Sequence, residues 1–223
     1  MALWANILQW LRGAAGVPAL SLPDLLQNTE PLELPGPWSR GIALAMHSDF
    51  RDEALAPTAT GVLLDRLKYG GERALVRPIA KALAKALAAD SVFQKADVVV
   101  HVPGARRSAA AEPTCDLARA VAKELRLPCL PRLIAKTRRL LPHKDITSWE
   151  EKRDNVQGGF RVRRPELVRG RTALLIDDVY DSGATLEEVC RTLTAAGVAE
   201  VVVATVTRTR YRRDSRVWSA RPG

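Results

Sequence analysis

The run Leu174, Leu175, Ile176, Asp177, Asp178, Val179, Tyr180, Asp181, Ser182, Gly183, Ala184 and Thr185 constrains this chain more than any other part of it. An apolar strand ends in two adjacent carboxylates. A short loop of small residues then opens a helix whose Leu186, Val189, Cys190 and Leu193 form an apolar stripe. The start of such a helix offers unpaired backbone N–H groups and the positive end of the helix dipole. The hydroxyls of Ser182 and Thr185 add donors, and Gly183 lets a ligand approach the backbone closely. This is a phosphate cradle. Two carboxylates aimed at a phosphate would repel it, so Asp177 and Asp178 are better used one sugar's width away, on hydroxyls or a divalent cation. A ribose 5-phosphate meets both demands. Two other readings use the same letters. One is an ordinary capping box between Thr185 and Glu188, with the aspartates merely ending a strand. The other is the metal site of a nucleoside triphosphatase, but no GxxxxGK[ST] occurs in the chain.

The rest of the sequence alternates apolar runs with amphipathic helical patterns. GIALAMHS from Gly41, DVVVHVP from Asp97, a segment near Phe160, TALLIDDV and EVVVATVTRT read as strands. TATGVLLDRLKYGG, ERALVRPIAKALAKALAAD, Pro113 to Leu127 and TLEEVCRTLTAA read as helices. In the second helix Leu75, Ile79, Leu83 and Leu87 form an apolar row, while Arg73, Arg77, Lys81 and Lys85 form a basic row expected on the solvated face. The alternation predicts an α/β fold with a mainly parallel twisted sheet and helices on both faces, its ligand beyond the carboxyl ends of the strands. Residues 2 to 12, with Leu3, Trp4, Ile7, Leu8 and Leu11, predict an N-terminal helical extension, and the prolines from Gly13 to Pro37 an irregular connector. Three units are expected: 1–37 as helix and connector, 38–209 as the main domain, and 210–223 as a basic tail.

Charge narrows the partners. The chain carries 34 Lys plus Arg against 25 Asp plus Glu, a formal charge of +9, which attracts nucleic acid or phosphorylated small molecules. The C-terminal Arg208, Arg210, Arg212, Arg213, Arg216 and Arg221 interleave with Tyr211 and Trp218, a composition suited to phosphates and stacked bases of single-stranded DNA, or to a solvated tail. Cys115, Cys129 and Cys190 match neither a CxxC motif nor a disulfide framework. No run approaches the roughly 18 apolar residues of a membrane span, so a cytoplasmic protein is expected.

The Leu174 to Thr185 run resembles the phosphoribosyl diphosphate signature of type I phosphoribosyltransferases, an apolar strand, two acids and a Thr/Ser-Gly-x-Thr loop. Asp181 stands where that family usually has a hydroxyl residue, so its charge must turn away from the phosphate or be neutralised. Within the superfamily, residues 38 to 209 look most like the ComF group, associated with DNA uptake in competent bacteria. The marks are Leu67-Lys68-Tyr69-Gly70-Gly71, Val102-Pro103, Lys136-Thr137-Arg138, Arg153-Asp154-Asn155-Val156 and Gly159-Phe160. Two features of that group are missing. Its N-terminal four-cysteine zinc module is replaced by the Trp-containing helix and Pro-rich connector, and its Arg-Gly-Phe-Asn-Gln loop by Ser108 to Pro113.

The resemblance implies the type I phosphoribosyltransferase fold and a ligand that is phosphoribosyl diphosphate or a nucleotide. It also implies Mg²⁺ held indirectly by Asp177 and Asp178 through ligand or water, with these two acids as catalytic residues. Asp181, Ser182, Gly183, Ala184 and Thr185 would contact the 5-phosphate, and Pro103, Gly104, Arg106 and Arg107 the diphosphate. Lys136 and Arg138 begin a basic segment, with His143, Lys144, Lys152 and Arg153, that resembles the mobile loop closing over the sugar. Partners compatible with the resemblance are single-stranded DNA, a DNA-processing protein or further copies of the chain. A nucleotide-salvage phosphoribosyltransferase is the alternative function.

Overall fold

The computed structural model describes residues 30–51, 54–104, 112–141, 146 and 148–209. The expected N-terminal helix, Arg106, Arg107, His143, Lys144 and the basic tail from Arg210 lie outside them. Among the described residues no helix is long and apolar enough to cross a membrane.

Strands β1 (Leu32–Glu33), β2 (Arg40–Met46), β3 (Ser48–Arg51) and β4 (Ala54–Pro57) come first. They are followed by helices α1 (Ala59–Tyr69) and α2 (Val76–Ala88), β5 (Val98–His101) and α3 (Pro113–Leu125). Then come β6 (Ile134–Lys136), α4 (Trp149–Val156), β7 (Phe160–Val162), β8 (Thr172–Tyr180), α5 (Ala184–Ala195) and β9 (Glu200–Arg208). The main sheet has the order β1-β2-β9-β8-β5, and β3-β4 and β6-β7 form separate two-stranded sheets. All main-sheet pairings are parallel except β1 with β2. This is the α/β architecture that the alternation predicts. The strand expected near Phe160 forms, but it pairs with β6 outside the main sheet. The last part of the Pro-rich stretch is not irregular, because Leu32 and Glu33 pair with Ala43 and Ile42.

The central strands are buried on both faces, which is why they read as continuous apolar runs. Ile42, Leu44, Val99, Leu174, Ile176, Val202 and Ala204 point to one side and pack with Leu63, Leu64, Leu67, Ile79, Leu83 and Leu117 of α1, α2 and α3. Ala43, Val98, Val100, Ala173, Leu175, Val201 and Val203 point to the other and meet Leu186, Val189 and Leu193 of α5. The period of two along each strand sorts the residues between these cores. The basic row Arg77, Lys81 and Lys85 of α2 is exposed, as a solvated face should be, while Arg73, in the turn before the helix, is exposed but pairs with Asp116 of α3.

Trp38 closes the second core. Its indole N–H donates to the Leu34 carbonyl at 2.8 Å, and its ring meets that of Tyr180 edge-on at 6.3 Å. A Cβ on Gly36 or Gly41 would stand 2.1 or 2.2 Å from the indole, so both positions must be glycine for the ring to lie flat. Trp38→Ala is therefore expected to lower unfolding free energy by about 3 to 5 kcal/mol in urea denaturation. An effect below about 1 kcal/mol would show that the indole does not close the core.

Candidate functional site

Parallel pairing places the carboxyl ends of β2, β9, β8 and β5 along one edge of the sheet. The acid pair lies at this edge but still inside β8, with Asp177 in register with Thr205. Burial and the neighbouring Asp178 charge push the Asp177 carboxyl well above the usual range. The Asp178 N–H, together with Lys68 and Lys136, acts in the opposite direction. That N–H donates to Asp177 Oδ1 at 2.8 Å.

Asp178 is held by side chains from two helices. Lys68 Nζ of α1 lies 2.9 Å from its Oδ2, and the Thr114 hydroxyl of α3 donates to the same oxygen at 3.2 Å. Burial pulls the Lys68 ammonium down, but the charges of Asp178, Tyr69 and Asp177 outweigh it and leave its pKa raised. Lys136, at the end of β6, is lowered by burial, with Asp177 and Glu112 opposing. The structure thus brings Asp177, Asp178 and Lys136 together and adds Lys68 and Thr114, which the strand-loop-helix motif does not reach. The nearest sequence signal for Lys68 was its place in Leu67-Lys68-Tyr69-Gly70-Gly71; Thr114 had none.

Beyond β8 the chain turns through Asp181, Ser182 and Gly183 into α5. Gly183 is the N-cap residue, with φ +83°, and has no side chain of its own with which to cap the helix start. A Cβ there would stand 2.8 Å from the Tyr180 hydroxyl oxygen, so glycine is required by both conformation and space. The Ala184 N–H donates weakly to Ser182 Oγ at 3.4 Å. Glu188 does not form the capping box with Thr185. It accepts from the Gly158 N–H at 2.8 Å and from Arg191 at 2.6 and 2.9 Å. Asp181 receives the neutralising partner its position demands. Lys152 Nζ lies 2.6 Å from Oδ2, and the Thr209 hydroxyl donates to Oδ1 at 3.0 Å.

Pro103 and Gly104 follow β5 at the same edge, and the Gly104 N–H donates to the Glu112 carboxylate. Arg138 does not reach toward the acids. Its Nη2 donates to the Asn155 and Gln157 carbonyls at 3.0 and 3.2 Å and so caps the C-terminal end of α4. The basic stretch expected as a loop contains α4, whose Ser148 accepts from the Glu151 N–H at 3.1 Å.

Acid pair, helix start and shared sheet edge are chemically suited to a phosphorylated polyol. The family described as "Phosphoribosyl transferase domain" matches residues 74–218. The chain belongs to this family. Three solved structures are similar to the phosphoribosyl transferase chain. The glutamine phosphoribosylpyrophosphate amidotransferase from B. subtilis, complexed with ADP and GMP, is 23% identical, with TM-score 0.40 and coverage of 59% of this chain and 26% of that one. A hypothetical protein from Neisseria gonorrhoeae with bound ppGpp is 18% identical, with TM-score 0.41 over 63% and 71% of the two chains. Trypanosoma cruzi hypoxanthine phosphoribosyl transferase is 19% identical, with TM-score 0.42 over 64% and 69%. The chain spans about a quarter of the amidotransferase it matches. A comparison with curated proteins finds no match.

The raised Asp177 carboxyl sets a pH dependence. A carboxyl whose pKa is higher folded than unfolded binds its proton more tightly when folded. Its contribution is full below the ordinary carboxylate range and is lost as pH rises through the raised value. Asp177→Asn is therefore expected to raise the melting temperature at pH 7, with the gain closing below about pH 4. Calorimetry across that range checks it; a variant less stable than wild type at pH 7 contradicts it.

Proposed function

We propose that this phosphoribosyl transferase domain binds phosphoribosyl diphosphate or a nucleotide at the carboxyl edge of its sheet. The observation that carries the reading is the paired acids of β8 standing directly before a helix that opens on Gly183, a residue in the left-handed conformation with no side chain over the first turn. The 5-phosphate would rest on the backbone and hydroxyls of Ser182 to Thr185, where helix-start N–H groups favour an anion. Asp181 does not oppose this, because Lys152 balances its charge. The ribose hydroxyls would donate to Asp177 and Asp178, displacing Lys68 from Asp178 or sharing it. The diphosphate would lie toward Pro103 and Gly104, with Arg106 and Arg107 on the same connection. Lys136 supplies positive charge beside Asp177.

The donor set also fits Mg²⁺. A half-buried carboxyl raised by desolvation and by its acidic neighbour is a group that gains from a cation, and Asp177 and Asp178 would hold one through ligand hydroxyls or water. When bound, the cation supplies charge neutralisation to the diphosphate. As a transferase the domain would form a bond from an acceptor nucleophile to C1 of the ribose as the C1–O bond breaks and its electron pair leaves with diphosphate. The acids would stabilise positive charge developing at C1.

The finer reading is a ComF-related role linked to DNA uptake or processing, with single-stranded DNA or a DNA-processing protein as partner. Its support is the formal charge of +9 and the Leu67 to Gly71 mark, whose Lys68 reaches the acid pair. A Mg²⁺-dependent nucleotide-salvage enzyme is the alternative.

Isothermal titration of phosphoribosyl diphosphate, with and without Mg²⁺, tests the site. The Asp177→Asn, Asp178→Asn double variant should bind more weakly, by about 1.5 to 3 kcal/mol for each charge-assisted hydrogen bond lost. An unchanged dissociation constant places the ligand elsewhere. A screen of purine and pyrimidine bases for diphosphate release separates the two roles, since binding without turnover favours the non-enzymatic one. For the DNA link, deleting residues 211–223 should weaken single-stranded DNA binding. It should also flatten the slope of log affinity against log salt by about 0.7 per phosphate contact removed. Equal slopes would return the tail to a solvated role.

A further inference from the structure

His101 ends β5 and is only 3% exposed, and both of its ring nitrogens face backbone carbonyls. Nε2 lies 2.5 Å from the Pro131 oxygen and Nδ1 3.0 Å from the Val102 oxygen. A neutral imidazole carries one N–H and so answers one carbonyl only. The shorter contact assigns that proton to Nε2, which leaves the Nδ1 lone pair directed at an oxygen. A buried acceptor facing an acceptor is costly, and a cation bound by both Nδ1 and the Val102 oxygen removes the conflict.

Two more ligand atoms stand near this imidazole. Glu112 Oε1 is 3.9 Å from Nδ1, and His101, Glu112 and Cys115 each offer one ligand atom within 4.8 Å of the others. Glu112 is the N-cap residue of α3 and Cys115 lies three positions on, a spacing that sets both on one side of the helix start. The Gly104 N–H holds one Glu112 oxygen and so orients the carboxylate. We propose that His101 Nδ1, Glu112 and Cys115 Sγ form a binding site for a borderline-soft divalent cation, Zn²⁺ being the best match to the nitrogen, oxygen and sulfur donors.

An imidazole N–H donating to a backbone carbonyl is the usual support of a metal-bound histidine, and Pro131 provides it. On binding, the Cys115 S–H bond breaks, a Zn–S bond forms and the proton leaves to solvent. The thiolate and the Glu112 carboxylate then balance the two positive charges, with the Val102 carbonyl oxygen as fourth ligand. Closing the ligand atoms to tetrahedral spacing requires side-chain movement of about 1 Å. A cation here would join both ends of the β5–α3 connection, because His101 and Gly104 belong to one end and Glu112 and Cys115 to the other. The site is distinct from the acid pair, and its existence does not depend on the proposed phosphoribosyl ligand.

Titration of the full-length protein with Co²⁺ tests it. One equivalent should bind with thiolate-to-cobalt absorption in the near ultraviolet, be displaced by Zn²⁺, and disappear in Cys115→Ser and His101→Gln. The absorption should persist in Cys129→Ser, in Cys190→Ser and in the Asp177→Asn, Asp178→Asn double variant, which separates this site from the acid pair. Should the buried variants misfold by circular dichroism, Glu112→Gln serves instead, with Zn²⁺ affinity expected to fall at least about tenfold. The proposal is overturned by absence of thiolate absorption in the wild type, by its survival in folded Cys115→Ser, or by unchanged Zn²⁺ affinity in Glu112→Gln. A nitrogen NMR spectrum showing both His101 ring protons retained at saturating Zn²⁺ also overturns it, because a doubly protonated ring would then be what satisfies both carbonyls.

Discussion

Asp177 sits in register with Thr205, still within the paired part of β8, so the elements packed around this edge of the sheet strip much of the water from its half-buried carboxylate. The structure answers with cationic side chains delivered from outside the sheet. Lys68 comes from the end of α1 and Lys136 from the end of β6, while Thr114 of α3 adds a neutral donor. The helices and the β6-β7 pair are thus placed so that their polar ends converge on the charge that the sheet cannot tolerate alone. The ligand reading follows from the same imbalance, because a polyol or a cation relieves it as the lysines do.

The element pattern was largely legible because the strands are short, β-branched and dry on both sides, and the helices carry clear apolar rows. Where local letters were misleading, the reason was tertiary. Leu32 and Glu33, set among prolines, become strand because the edge of β2 offers unpaired backbone groups. Trp149 to Val156 forms a helix within a basic stretch because Ser148 caps it and Arg138 closes its far end. The acid pair and the loop were visible as a contiguous motif. Lys68 and Thr114 were not, since each reaches Asp178 across a long sequence separation that no spacing rule encodes.

Charge balance is also local at the loop. A carboxylate at Asp181 would oppose an anion beside it, yet Lys152 is almost wholly buried against it and the Thr209 hydroxyl takes its other oxygen. The pair therefore joins α4 to the loop, while Glu188 joins the turn at Gly158 to α5. Two ionic or charge-assisted ties thus bind the α4 to β7 region to the segment that would hold a phosphate. Movement of that region and the electrostatics of the loop are consequently coupled.

The Tyr180 side chain gives the molecule a mechanical linkage. Its hydroxyl donates to the Pro35 carbonyl at 3.0 Å, its ring rests against Trp38, and the same hydroxyl oxygen occupies the space beside Gly183. The backbone entering the sheet at Leu32 is therefore coupled like a lever to the first turn of α5, with the aromatic ring as the rigid arm between them. Tension on the chain ahead of β1 would shift Pro35, tilt that arm and alter the curvature of the loop at Gly183.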